Sequence, residues 1–231
     1  ITQVTIQDTD SAASFYYYDD LAGSWTITAS RTGITTATDA LGVAHASADH
    51  SILIGTVSSP QTVGVDFALP AIQIVAQYGN ACNDAYGATP YSGSHTVVFS
   101  HTGTANGPLG DLDEWKVDDV VQAGGVATVS FNNNGRSTNT LEANLKRAQT
   151  IDIVIEPDGL PGTPVVPNEY VADIVINPGA QDYIEFSQQP SATGTSNVVL
   201  AQAPVVFIRD AYGNRTHDTS SIQLLASTTT G

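Results

Sequence analysis

With 231 residues and a hydrophobic content of 41%, the chain holds enough apolar material for one large β domain or about two ordinary ones, which argues against global disorder. Only 13% of residues are charged, against roughly 25% in average domains, so Thr, Ser, Asn, Gln and Gly must build most of the surface. A formal net charge of -16, from 23 acidic and 7 basic side chains, repels phosphate backbones and anionic lipid surfaces and disfavours both as partners.

Helical periodicity is nearly absent, and short runs of alternating apolar and polar residues predict strands. In chain order the clearest are WTITAS (25–30), HSILIGTV (50–57), AIQIVAQ (71–77), HTVVFSH (95–101), VATVSF (126–131) and TIDIVIEP (150–157). YVADIVINP (170–178), DYIEFSQ (182–188), PVVFIRD (204–210) and SIQLLAS (221–227) follow. In TIDIVIEP the alternation puts Ile151, Ile153 and Ile155 on one face and Asp152 and Glu156 on the other. Residues 139–147 carry the one helical alternative, set in a β context. Clusters of Gly, Pro, Asn and Asp separate the runs, a pattern that predicts an all-β sandwich.

The runs repeat. Residues 48–80 align with 180–214, which places Asp49 on Asp182, Pro60 on Pro190 and Tyr78-Gly79-Asn80 on Tyr212-Gly213-Asn214. A polar stretch and an alternating strand follow the turn in each copy. The expected organisation is the back portion of one unit (1–47), one complete unit (48–178) and the front portion of a third (179–231). Asp84-Ala85-Tyr86-Gly87 resembles the second turn only in composition, because matching it breaks the upstream strands.

A strand ending in Asp-x-Tyr-Gly-Asn, then YSGSHTVVFS, then GGVATVSFNNNGRSTNTLEANLKRAQTIDI, resembles the bacterial immunoglobulin-like repeats of invasin- and intimin-like adhesins and S-layer-like coat proteins. The resemblance covers most of 48–231, and the insertion GPLGDLDEWKVDDVV departs from a minimal repeat. It implies tandem sandwiches with Greek-key connections in a large extracellular, cell-surface protein. Such a segment is non-enzymatic and serves as a spacer, coat or filament element, with neighbouring repeats or copies of the same protein as partners. The alternative is an accessory carbohydrate-binding module of a secreted polysaccharide-active enzyme, with surface glycans as partners.

Cys82 is the only cysteine, so no disulfide forms within the chain. The lack of Met, at position 1 as elsewhere, suggests a processed or excised segment, and no apolar run approaches the ~18 residues of a membrane span. The best metal candidate is GDLDEWKVDD, where Asp111, Asp113, Glu114, Asp118 and Asp119 bring five carboxylates into nine residues. Ca²⁺ takes about six to eight oxygen ligands, so such a loop suits it, although the spacing is not that of an EF-hand. A solvated acidic loop is the plainer reading, and the pairs Asp8/Asp10 and Asp19/Asp20 lean further that way.

His95 and His101 lack the further ligand that zinc needs. Asn214-Arg215-Thr216 matches a glycosylation sequon and reads as a turn. An intramolecular isopeptide bond would have only Lys116 or Lys146 to use. Tyr16-Tyr17-Tyr18 alternate faces and give no continuous stacking platform. No nucleophile elbow, metalloprotease helix, phosphate loop or dinucleotide fingerprint occurs, so no catalytic residue is assigned.

Overall fold

Alternation of apolar and polar residues carries through into strands. The computed structural model describes residues 12, 14–158, 160, 171–217, 221–223 and 225. Asp8 and Asp10 lie outside the described residues, as does part of the 221–227 run. The chain is all-β: among the described residues the only helical elements are three-residue 3-10 turns at Ala85–Gly87 and Ala123–Gly125.

An N-terminal hairpin joins β1 (Gly23–Arg31) to β2 (Ile34–Val43), with Arg31 opposite Ile34 and Gly33 at a φ of 81° in the tight turn. Next come β3 (Ala48–Ile54), β4 (Gln61–Thr62), β5 (Phe67–Leu69) and β6 (Ala71–Ala76), of which β3 and β6 pair antiparallel. Then follow β7 (Gly93–His101), β8 (Glu114–Val117), β9 (Val120–Gln122), β10 (Val126–Phe131) and β11 (Leu141–Asn144). After them come β12 (Gln149–Pro157), β13 (Val171–Asn177), β14 (Gln181–Gln188) and β15 (Val205–Asp210). The last two form a C-terminal antiparallel hairpin.

Two main sheets build the sandwich, one of five strands in the order β10-β7-β12-β13-β4 and one of four in the order β5-β11-β8-β9. From the first sheet Val97, Phe99, Val129, Ile151, Ile153 and Ile174 are buried. From the second, Phe67, Trp115, Val117, Leu141 and Ala143 meet them in one cluster, where Phe99 stacks on Trp115 with centroids 5.8 Å apart. Ile72, Ile74 and Ala76 of β6 join the same core. Fully burying an aliphatic side chain contributes roughly 1.5–3 kcal/mol, so this cluster is the main source of stability.

Residues 139–147 do not form a helix. Leu141, Ala143 and Leu145 point inward with period 2, and β11 is hydrogen-bonded between β5 and β8, so sheet pairing overrides the local tendency. Between β8 and β9, Asp118 and Asp119 take φ values of 50° and 64°, as a two-residue type I′ hairpin turn requires.

Candidate functional site: the Tyr-Gly-Asn junctions

The turn after β15 is closed by Asp210 N–H donating to Asn214 O at 2.9 Å and Gly213 N–H donating to Asp210 O at 3.0 Å. The turn after β6 has the same two bonds, Ala76 N–H to Asn80 O at 2.8 Å and Gly79 N–H to Ala76 O at 2.8 Å. Gly79 and Gly213 hold φ values of 77° and 83°, where a side chain is strained. A single antiparallel bridge follows each turn, Val75 with Ala81 and Arg209 with Arg215. The hairpins share an irregularity as well: the register of β3–β6 shifts between Ala48 and His50, and that of β14–β15 between Gln181 and Tyr183. The shifts coincide with Asp49 and Asp182, which the sequence alignment superposes.

Each turn ends in an asparagine that grips an earlier segment of backbone. Asn214 Nδ2 donates to Lys146 O at 2.9 Å, while its Oδ1 accepts from Ala148 N–H at 2.9 Å. Asn80 Nδ2 donates to Asp20 O at 2.7 Å, and its Oδ1 accepts from Ala22 N–H at 2.8 Å. In both cases one carboxamide spans residues i and i+2 immediately before a strand, β12 in one case and β1 in the other. A primary amide suits this task, because its donor and acceptor sit side by side.

The surroundings of the two clasps differ. Asp210 is buried, and its Oδ1 accepts from Tyr212 N–H at 3.0 Å and Asn214 N–H at 2.8 Å. Its Oδ2 accepts from Gly179 N–H at 2.8 Å, and Asn214 Nδ2 reaches both carboxylate oxygens at 3.2 and 3.1 Å. The Tyr212 ring lies against Gly64, where any Cβ would collide with it, and the Lys146 ammonium sits 5.1 Å from the ring centroid. A Cβ on Gly213 would meet Leu109 Cγ at 2.8 Å. At the other turn Ala76 replaces the aspartate, Tyr78 is half exposed with its hydroxyl 3.5 Å from that of Tyr18, and a Cβ on Gly79 would meet nothing within 4 Å. Further contacts to the N-terminal region come from Tyr86, whose ring covers Gly42 of β2, and from Asn83 O, which lies 2.8 Å from Nε2 of His45, just past that strand.

The acidic candidates are dispersed around this region. The Asp113 side chain is largely covered, and its carboxylate accepts from Asn106 N–H at 2.7 Å and Lys146 N–H at 2.8 Å, with His101 Nε2 at 3.1 Å. Burial raises the Asp113 pKa, but these bonds together outweigh it and hold the carboxyl below its ordinary value. Asp118 accepts from Asn139 Nδ2 at 2.6 Å and Thr140 N–H at 2.9 Å, which lowers its pKa. Glu114 Oε1 lies 3.4 Å from Lys146 Nζ, while Asp111 and Asp119 are exposed. Among the described residues no group of three or more His, Cys, Asp or Glu is arranged to hold a metal ion.

Lys146 Nζ also donates to Asn144 Oδ1 at 2.7 Å, and Asn144 Nδ2 donates to Asp66 Oδ1 at 2.7 Å. Lys116 completes this network through Asp66 Oδ2 at 2.6 Å, and its hydrogen bond is the largest cause of the lowered Asp66 pKa. His95 stacks on Tyr91 at 4.0 Å between centroids, so the two strand histidines serve different contacts. Cys82 is buried, which pushes its thiol up to about 11 and leaves it little thiolate character at neutral pH. Comparison of the sequence with protein-family models and with curated proteins gives no match.

Sequence reasoning recognised the turn but missed the clasp. Asn214 and Asn80 reach backbone 68 and 60 residues away, and a turn-forming Asn has the same local signature whether or not its side chain holds a distant segment.

Proposed function

We propose that this chain is a run of immunoglobulin-like β-sandwich repeats from a large extracellular, cell-surface bacterial protein. Its role is structural and adhesive rather than enzymatic, as a spacer, coat or filament element whose partners are neighbouring repeats or copies of the same protein. The observation that carries the reading is the recurrence of one device: an Asn carboxamide after a Tyr-Gly turn, bridging backbone i and i+2 of the segment before a closing strand. Successive units joined this way form a directional array in which each contacts its sequence neighbours. Crossings of the chain between the two sheets, from β7 to β8 and from β9 to β10, support the Greek-key connections of the unit.

The carbohydrate-binding alternative draws on the exposed Tyr16, Tyr17, Tyr18, Tyr78 and Tyr86. Tyr86 already contacts the N-terminal hairpin and Tyr78 meets Tyr18 in the segment before it, and a row of rings on one sheet face is what glycan stacking needs, so the structural role is favoured. Calcium has no part in the reading.

Single-molecule stretching of the chain tests the proposal. The unit at 48–178 is expected to open as one cooperative event releasing on the order of 400–450 Å of contour, from about 3.3–3.6 Å per extended residue less the folded span. Gradual extension without such an event would defeat the reading.

A further inference from the structure

The clasps share their asparagine but not the residue two places before the tyrosine, which is Asp210 in one turn and Ala76 in the other. A carboxylate at that position does three things. It receives the Tyr212 and Asn214 N–H groups and thereby braces the turn. It receives Gly179 N–H and ties the turn to the connection between β13 and β14. Because an ionised carboxylate only accepts, it also holds the Nδ2 end of the Asn214 amide toward itself and Lys146 O, leaving Oδ1 to face Ala148 N–H. The C-terminal clasp is therefore oriented before it engages. Ala76 offers no side-chain oxygen for these roles, and among the described residues the Asn80 amide is oriented by the two backbone groups it holds.

Burial differs at the last three positions of the turns. Ala76 and Asp210 are both buried and Gln77 and Ala211 both exposed, but Gly213 and Asn214 are buried and the Tyr212 ring is enclosed by Gly64 and Lys146, whereas Tyr78 and Gly79 are exposed and Asn80 is half-buried. The Oδ1 bonds to Ala148 and Ala22 are both part-buried, but the Nδ2 bond of Asn214 to Lys146 O is buried whereas that of Asn80 to Asp20 O is exposed, and water competes for an exposed hydrogen bond.

Resting on the repeat reading above, we infer that the residue two positions before Tyr-Gly-Asn sets the stiffness of each joint. Asp210 makes the C-terminal joint a locked one, and Ala76 leaves the N-terminal joint compliant. An array built from such units can place rigid and yielding joints by one substitution, without changing the sandwich.

Site-resolved hydrogen exchange on the whole chain tests this, since Ala22 and Ala148 donate the matching clasped amides. Ala148 is expected to exchange at least about tenfold more slowly than Ala22. Asp210→Ala should speed Ala148 about tenfold or more while the Ile153 amide stays protected, and Ala76→Asp should slow Ala22. Equal wild-type rates would overturn the inference. So would an Asp210→Ala chain with unchanged Ala148 exchange, or a folded Ala76→Asp chain with unchanged Ala22 exchange. If Ala76→Asp unfolds, shown by lost protection at Ile74, the wild-type rates and Asp210→Ala decide the matter. Absence of protection at both Ala22 and Ala148 would instead remove the clasps and with them the proposed function.

Discussion

The C-terminal and N-terminal junctions solve one problem with different amounts of support. Both hold a preceding strand by two hydrogen bonds to one carboxamide, of 2.9 and 2.9 Å in one case and 2.7 and 2.8 Å in the other. Bond lengths therefore do not distinguish them. The difference lies around the bonds: a buried carboxylate, an enclosed tyrosine and a loop packed against the turn glycine on one side, and a buried alanine, an exposed tyrosine and an uncovered turn glycine on the other. The same motif can thus give a firm or a yielding contact according to its second layer of neighbours.

Removing the clasps should separate the junctions most. Asn214→Ala leaves Lys146 C=O, Ala148 N–H and the Asp210 carboxylate short of partners in a buried site, and should cost about 2–4 kcal/mol of docking free energy. Asn80→Ala exposes its partners to water and should cost about 1 kcal/mol or less. Amide exchange in β15 and β1 reports each loss, and equal losses would erase the contrast.

Glycine replacements sharpen it next. Gly213→Ala meets both a φ of 83° and Leu109 Cγ at 2.8 Å, so it should destabilise the C-terminal hairpin by roughly 2–3 kcal/mol. Gly79→Ala meets only the strain of a φ of 77°, about 1 kcal/mol. Exchange in the two hairpins should rank the variants in that order.

Acid should act on the C-terminal side first. A carboxylate held below its unfolded pKa stabilises the fold above that value, and the contribution is lost as pH falls through the folded one. Asp113, with Lys146 N–H as one of its donors, should thus release the Lys146 segment only below about pH 4. Protection of the Ala148 amide, followed from pH 6 to pH 2, should fall in that window. Asp113→Asn should weaken it at neutral pH by about 1–3 kcal/mol and flatten the acid response. The smallest effect is expected from calcium: among the described residues no three acids are arranged to hold a metal ion, so calcium and a chelator should give superimposable melting curves.

Much of the architecture was legible in the chain. Ile151, Ile153 and Ile155 alternate without interruption, and all three are buried. β8 was missed because Glu114–Val117 is too short for periodicity to register, and β2 because most of its residues are exposed and give no apolar rhythm. The acidic cluster was visible as composition only. Asp113 differs from Asp111 solely in what folds over it, since its carboxylate meets Lys146 N–H and His101.

By itself the sequence determined the strand class and the turn chemistry, because alternation and glycine placement are local properties. Tertiary structure alone decided what each Tyr-Gly-Asn turn grips and what surrounds the contact. The partners are backbone groups 60 and 68 residues away, and backbone carries no residue-specific signature that a sequence pattern can match.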